Sequence, residues 1–425
     1  MLFLLAAAMV VLIAIGMPLG FAIIGASVAT IVLGSAVSPM MIPQRIFAGM
    51  DSFSLLAIPF FLLAGSLMTA GGLSDRLIGF ANALVGRFRG GLAISNVLTS
   101  LLFGGISGSA VADTSAVGGT FIPAMKRLGY TAPFSVAVTA ASAPLSPLVP
   151  PSIAWIVYAF LADQSIMRLF IAGIVPALLW ALALIATVIV IARRHDLPTH
   201  EATSLCGLWQ AFLRALTALF MPVFILGGIR FGVFTVTEAS AIAVVYALLV
   251  GVFVHRELDG PKIVECVRSA ASTTAVVMII IGSASLFAWV LAYTKTPDAV
   301  ANWVAGVTTD PIGFLLIVNV VLLILGSFME VNAAKVIIVP ILLPIALGLG
   351  IDPIHFGVIV TANLCVGLLT PPMGIVLALA CRIGDVPLES GIRASFPFLA
   401  ASIAVVLLLT LFPQLSLWLP AMMLD

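Results

Sequence analysis

Residues 142–152 read Ser142-Ala143-Pro144-Leu145-Ser146-Pro147-Leu148-Val149-Pro150-Pro151-Ser152, and four of the eight residues from 144 to 151 are proline. Each proline removes a backbone donor and disfavours helix at the residue before it, so no helix continues through this stretch. Yet the stretch lies inside an apolar segment, 131–162, that is long enough to cross a bilayer. Irregular backbone at that depth requires protein or a water-filled cavity around it. The segment therefore reads as a broken membrane helix. Its freed carbonyls and neighbouring hydroxyls are hard oxygen ligands suited to a cation such as Na⁺. Helix-packing contacts plus a kink are the alternative reading.

The break recurs at 363–374, Asn363-Leu364-Cys365-Val366-Gly367-Leu368-Leu369-Thr370-Pro371-Pro372-Met373-Gly374. A shift of 221 residues lays Pro150-Pro151 on Pro371-Pro372, Gly105 on Gly326, Pro123 on Pro344, Leu128-Gly129 on Leu349-Gly350, and the span 53–72 on 274–293. Gly and Pro are common in membrane helices, but several in one register indicate an internal duplication. Each half also holds an apolar stretch interrupted by small and polar residues. In 91–125 the interruption is Gly104-Gly105-Ile106-Ser107-Gly108-Ser109-Ala110-Val111-Ala112-Asp113-Thr114-Ser115. In 312–350 it is Gly326-Ser327-Phe328-Met329-Glu330-Val331-Asn332-Ala333-Ala334-Lys335. Small residues allow close backbone approach, and Gly and Ser let the chain turn.

Composition fixes the solvent. The chain of 425 residues is 62% hydrophobic and 8% charged, too apolar for a water-soluble domain. Spans are predicted near 1–15, 17–36, 53–72, 131–162, 168–192, 210–231, 234–254, 270–293, 355–381 and 395–420. On this map thirteen basic residues, among them Arg76, Arg87, Lys126, Arg194 and Arg382, fall on one side, and only Arg45, Arg168, Arg230 and Lys295 fall on the other. The first side is then cytoplasmic, both termini lie outside, and 91–125 and 312–350 become re-entrant hairpins. Each half crosses an odd number of times, so the second is inverted. Residues 1–192 form the first repeat, 193–209 a solvated linker holding Arg193, Arg194 and His195, and 210–425 the second repeat. Inverted repeats with broken helices mark secondary transporters.

Three ionisable groups lie within apolar sequence, Asp113, Glu330 and Lys335, and such groups need a partner or a function. Structural salt bridging or a hydrogen-bonded carboxyl is the plain alternative, although Glu330 and Lys335 are five apart and form a poor helical pair. Glu238, after Thr237 at the start of a span, is expected to cap it. The four cysteines show no CxxC pairing or metal-ligand spacing. The first apolar run has no basic n-region or A-x-A-like site, so it is expected to belong to the mature chain. Net charge is +1, which gives no electrostatic case for a nucleic-acid partner. HExxH and GxSxG are absent, which argues against an intramembrane enzyme. An ion channel has no need of broken inverted repeats.

At these segments the chain resembles the large membrane subunit of tripartite ATP-independent periplasmic (TRAP) transporters. The resemblance covers essentially the whole chain and is carried by GGISGSAVADTSAVGG (104–119), PLVPPSI (147–153), FTVTEASA (234–241) and the run from Gly326 to Ile375. It implies an all-α polytopic membrane fold with an elevator-type transport domain moving against a scaffold. The transport domain would hold the two hairpins and the broken helices 131–162 and 355–381, and the scaffold the outer spans. It implies import of an organic anion, a C4-dicarboxylate or a sugar acid, coupled to Na⁺, with no other cofactor. It also implies a separate small four-helix membrane subunit, a periplasmic substrate-binding protein, and the bacterial inner membrane. A stand-alone sodium/anion symporter of the same superfamily is the alternative. Carried over, the sodium sites fall on Ser107, Gly108, Ser109, Pro150 and Ser152, and on Gly326, Asn332, Thr370, Pro371 and Gly374. Asp113, Thr114, Ser146, Glu330, Lys335 and Asn363 are the candidates for substrate binding or coupling. Glu330-Val331-Asn332 replaces the family's usual Asp-Pro-Thr, and Asp113 and Lys335 are charged where small or apolar residues are usual.

Overall fold

The computed structural model describes residues 1–34, 37–194, 197 and 204–424, and every regular element among them is helical. Helices α1 (Leu2–Ala14) and α2 (Leu19–Gly34) are two helices, not one kinked helix, and they pack on each other. The chain reverses at Gly16, whose φ of +87° needs a residue without Cβ. The short α3 (Met41–Met50) and a single 3-10 turn (Phe53–Leu56) lead to α4 (Ala57–Ala70) and α5 (Leu73–Val85). Helices α6 (Gly91–Ser107) and α7 (Ala110–Arg127) make a helical hairpin, and α8 (Ala132–Ser142) and α9 (Ile153–Ala162) flank the proline-rich break. After α10 (Ile166–Arg194) come α11 (Leu205–Arg230), α12 (Val236–Leu249), which a π-helical turn prolongs to Val254, and α13 (Gly260–Tyr293). The short α14 (Thr296–Val307) precedes the second hairpin, α15 (Pro311–Phe328) and α16 (Val331–Gly348). The second broken segment is α17 (Pro353–Gly367) and α18 (Ile375–Gly384), followed by α19 (Leu388–Leu411) and α20 (Gln414–Leu424).

The helix starts follow from local chemistry. Asp310 and Asp352 each precede a proline at the first helical position, and their carboxylates accept from Gly313 N and from Ile354 and His355 N. Thr235 and Glu238 form a full capping box on α12, as expected of Glu238. The second half repeats the first in its boundaries. Helix α7 begins at Ala110 and α16 at Val331, 221 residues on, and both are 18 residues long.

Several boundaries differ from those expected. The linker predicted over 193–209 is narrower, because α10 runs through Arg194 and α11 starts at Leu205; His195 lies outside the described residues. The span predicted at 395–420 is divided at Phe412-Pro413. Helices α3, α5 and α14 were not anticipated, being too short or too polar for a spanning signal. Among the described residues, eight helices are long and apolar enough to cross a membrane, so this is a multi-pass membrane protein. Helices α15 and α16 are among the eight; at 18 residues each is about 27 Å long, so length alone does not mark them as re-entrant.

The helices sort into two groups. Helices α6–α10 and α15–α20 pack mainly among themselves, around the fully buried Trp155, Trp180, Tyr158, Phe103 and Phe356. Helices α1–α4 pack with α12 and α13, and α11 packs on α5 and α12. The groups meet where α13 lies on α16, α4 on α6 and α5 on α6. The 34-residue α13, about 51 Å long, is the principal strut.

Candidate functional site

The first hairpin turns over three small residues. Gly108 takes a φ of +58°, and its N–H donates to Gly104 O at 3.0 Å. Ser109 caps α7, its Oγ accepting from Ala112 N at 3.4 Å, and Ser107 Oγ accepts from Ser109 N at 3.3 Å. A Cβ at Gly108 would lie 3.2 Å from Ser152 Cα, and one at Gly105 would lie 3.2 Å from Pro150 O. Ser152 in turn caps α9 by accepting from Ala154 N at 3.2 Å. The fold thus brings Ser107, Gly108, Ser109, Pro150 and Ser152 to one place, where a hairpin turn meets a proline break.

In the second half the corresponding junction is tighter. A Cβ on Gly367 would run into the backbone of Gly326, so α15 and α17 touch main chain to main chain. Glu330 caps α16, its carboxylate accepting from Asn332 N at 2.8 Å and Ala333 N at 3.2 Å. Asn332 Nδ2 donates to the same carboxylate at 3.0 Å, while Asn332 Oδ1 is buried with no protein partner. Thr370 Oγ donates to Val366 O at 2.9 Å and keeps its lone pairs, and Gly374 turns the chain into α18 with a φ of +40°.

A cavity of about 970 Å³ joins the two hairpin turns. Its walls include Ser107 to Ala112 from the first turn, Phe328 to Ala333 from the second, and Pro147, Ile153 and Ala154 from the first break. Of the expected sodium residues, Ser107, Gly108, Ser109 and Asn332 line it; Pro150, Ser152, Gly326, Thr370, Pro371 and Gly374 lie outside its wall. The opposite wall was not read from the sequence: Glu265, Cys266, Ser269 and Thr273 of α13, with Ser66 and Thr69 of α4. Glu265, Ser269 and Thr273 are spaced by four, a polar stripe on one helix face. That spacing was a legible signal.

The expected substrate or coupling residues divide. Only Glu330 lines the cavity. Asp113 is fully buried behind it, accepting from Ser146 Oγ at 2.6 Å, with Ser100 Oγ 3.2 Å away. The polar chain continues from Ser100 to Ser142 at 3.1 Å, from Ser142 to Asn96 at 3.0 Å, and from Asn96 to Thr139 at 2.7 Å. Thr114 Oγ is spent on Ala110 O of its own helix, 2.8 Å away. Asn363 donates to Asn319 at 2.8 Å, and Asn319 donates to Thr410 at 2.9 Å, a second buried chain across α15, α17 and α19. Its Oδ1, like that of Asn332, is buried without a partner. Lys335 does not pair with Glu330: its Nζ donates to Ala154 O at 2.6 Å and lies 5.6 Å from the Trp155 ring centre. The five-residue spacing places the two side chains on different faces of the helix start. Asn96, Ser100 and Asn319 gave no sequence signal beyond being polar in apolar runs. The cysteines are unpaired.

Comparison with known proteins gives this geometry its context. The C4-dicarboxylate TRAP transporter large permease protein DctM of Pseudomonas aeruginosa is 43% identical over 391 residues, 92% of each chain. The sialic acid TRAP transporter large permease protein SiaM of Vibrio cholerae is 38% identical over 410 residues, 96% of each chain. The crystal structure of the Alcanivorax borkumensis YdaH transporter, described as having an unusual topology, superposes with a TM-score of 0.62 at 16% identity, over 91% of this chain and 90% of that one. This likeness covers the fold over 91% of the chain. Residues 6–415 match the family model described as tripartite ATP-independent periplasmic transporter, DctM component, and the chain is a member of that family of transporter permeases.

Proposed function

We propose that this chain imports an organic anion across the bacterial inner membrane by Na⁺-coupled secondary transport. It would work with a separate small membrane subunit and a periplasmic binding protein that delivers the cargo, as the family's tripartite description suggests. The observation that carries the reading is the cavity in which both hairpin turns face α13. Helices α6–α10 and α15–α20 would form the transport domain and the remaining helices the scaffold, so the cavity lies along the plane on which the two would slide. In this reading 1–192 and 210–425 are inverted repeats, and the hairpins enter the membrane from opposite sides.

The sodium sites are placed at the two hairpin–break junctions. Asn332 Oδ1 supports the second: it is a buried oxygen without a protein partner, whose unmet bond would otherwise cost about 1–3 kcal/mol. Oxygens of Ser107, Ser109, Pro150 and Ser152 serve the first. Sodium bound there would order the turns before the anion enters, which couples the two ligands positively. The test is thermal unfolding of the purified protein in Na⁺ against K⁺ at equal ionic strength, with succinate and N-acetylneuraminate as probe anions, followed by uptake in proteoliposomes. Sodium should raise the unfolding temperature, and a probe anion should raise it further only in sodium. Equal stability in the two salts, or uptake at full rate under a proton gradient without sodium, would reject the coupling.

A further inference from the structure

The cavity has an electrostatic problem that one side chain answers. Two carboxylates line it, Glu265 from α13 and Glu330 from the second turn, and among the described residues no Lys, Arg or His does. Glu330 also occupies the N–H groups at the start of α16, which would otherwise attract an anion. An anionic cargo entering this space meets like charge and loses one of the two helix starts that could receive it. Beyond the sodium ions proposed above, any compensating positive charge from the chain itself has to come from behind the wall.

Lys335 is in that position. Among the described residues, Asp113 and Lys335 are the two charged side chains with no solvent exposure. The Asp113 carboxylate is satisfied by hydroxyls, whereas the ammonium has the single oxygen of Ala154, which itself forms part of the cavity wall. Lys335 stands two residues beyond the run Glu330 to Ala333, which lines the same wall. A buried ammonium hydrogen-bonded by one neutral carbonyl beside an aromatic face, with the Glu330 carboxylate near enough to interact but not to pair, is costly unless its field is used further.

Resting on the function proposed above, we propose that Lys335 is a specificity-determining residue, a fixed cation behind the cavity wall whose field lets the cavity accept an anion and weakens its hold on sodium. Lys335 would touch neither ligand. Across roughly 8 to 10 Å, at an effective dielectric constant of about 20, one unit charge changes the affinity for a monovalent ion by roughly fifteen- to thirtyfold. The effect has opposite signs for the two ligands, which a purely mechanical link between α16 and α9 does not produce.

The experiment compares wild type with Lys335→Met and Lys335→Gln, each checked as folded by size exclusion. Met fills similar space without charge, and Gln keeps a donor for Ala154 O without charge. Sodium alone, then succinate and N-acetylneuraminate at saturating sodium, are titrated against thermal unfolding. Both variants should raise the N-acetylneuraminate midpoint roughly fifteen- to thirtyfold, raise that of the dianion succinate by roughly the square of that factor, and lower the sodium midpoint several-fold, Met and Gln agreeing. A Gln variant that behaves as wild type while Met differs would make Lys335 a tether and overturn the proposal. So would a sodium midpoint that stays or rises in both. If neither probe anion stabilises the wild type, the function loses those cargo classes, and the sodium midpoint alone decides Lys335. If sodium has no effect, the coupling fails and the anion midpoint decides; no response to either ligand rejects both proposals.

Discussion

At the scale of single residues, the second junction offers the sharpest test. Asn332 carries a buried oxygen without a partner, and Thr370 a hydroxyl whose hydrogen is committed to Val366 O. If each oxygen contacts a sodium ion, Asn332→Ala and Thr370→Val remove one ligand apiece. A lost contact to a charge is worth about 1.5–3 kcal/mol, so the sodium midpoint should rise roughly tenfold to a hundredfold. Packing roles predict lower stability with the sodium midpoint unchanged, and titrating stability against sodium in both variants separates the two. Asn332 was singled out by the resemblance to the TRAP permeases. Its orphaned oxygen was not legible, because it depends on Glu330 taking the amide side of the same group.

At the scale of elements, the fold depends on main chains that touch. The Gly326–Gly367 contact lets the end of α15 lie against the end of α17, and no side chain can replace either hydrogen without moving a helix. Gly367→Ala should therefore destabilise the protein by about 1–3 kcal/mol through overpacking. Gly348 closes α16 with open space around its Cα, so Gly348→Ala should be neutral or stabilising by up to about 1 kcal/mol, from helix propensity. Unfolding midpoints of the two variants, measured together, check the contrast. If Gly367→Ala proves as mild as Gly348→Ala, the close approach does not hold the junction together. The 221-residue register pointed to Gly326 through its match with Gly105. Gly367 has no glycine counterpart, since Ser146 stands 221 residues before it. It could be identified only once the helices were placed.

At the scale of the molecule, the distribution of basic residues predicts a topology. Arg194 and Lys295 are both exposed and lie at opposite signs of that prediction. In a background with the exposed Cys206 replaced by serine, Arg194→Cys should resist a membrane-impermeant thiol reagent in intact cells, and Lys295→Cys should react. The reverse pattern would overturn the orientation and, with it, the inversion of the second half. Movement of one helix group past the other would then be followed by cross-linking between α13 and α16, which meet at the proposed sliding plane.

Composition and the placement of proline by themselves determined that the chain lives in lipid and that two of its helices are broken. Both conclusions follow from backbone chemistry that no tertiary contact can reverse: prolines lack donors, and lipid supplies none. The helix hairpins were legible for the same reason, through small residues set in apolar runs. Tertiary structure alone decided which polar groups face a common cavity. Glu265 and Thr273 sit far in sequence from Ser107 and Glu330, yet share its wall, while Asp113 and Asn363, on the segments expected to bind, are turned into buried hydrogen-bond chains. Lys335 and Glu330, five residues apart, part company because one finds a carbonyl on α9 and the other caps its own helix. The cap that Glu330 makes is local, but the partner of Lys335 is set by helix packing, and the sequence near that residue holds no record of it.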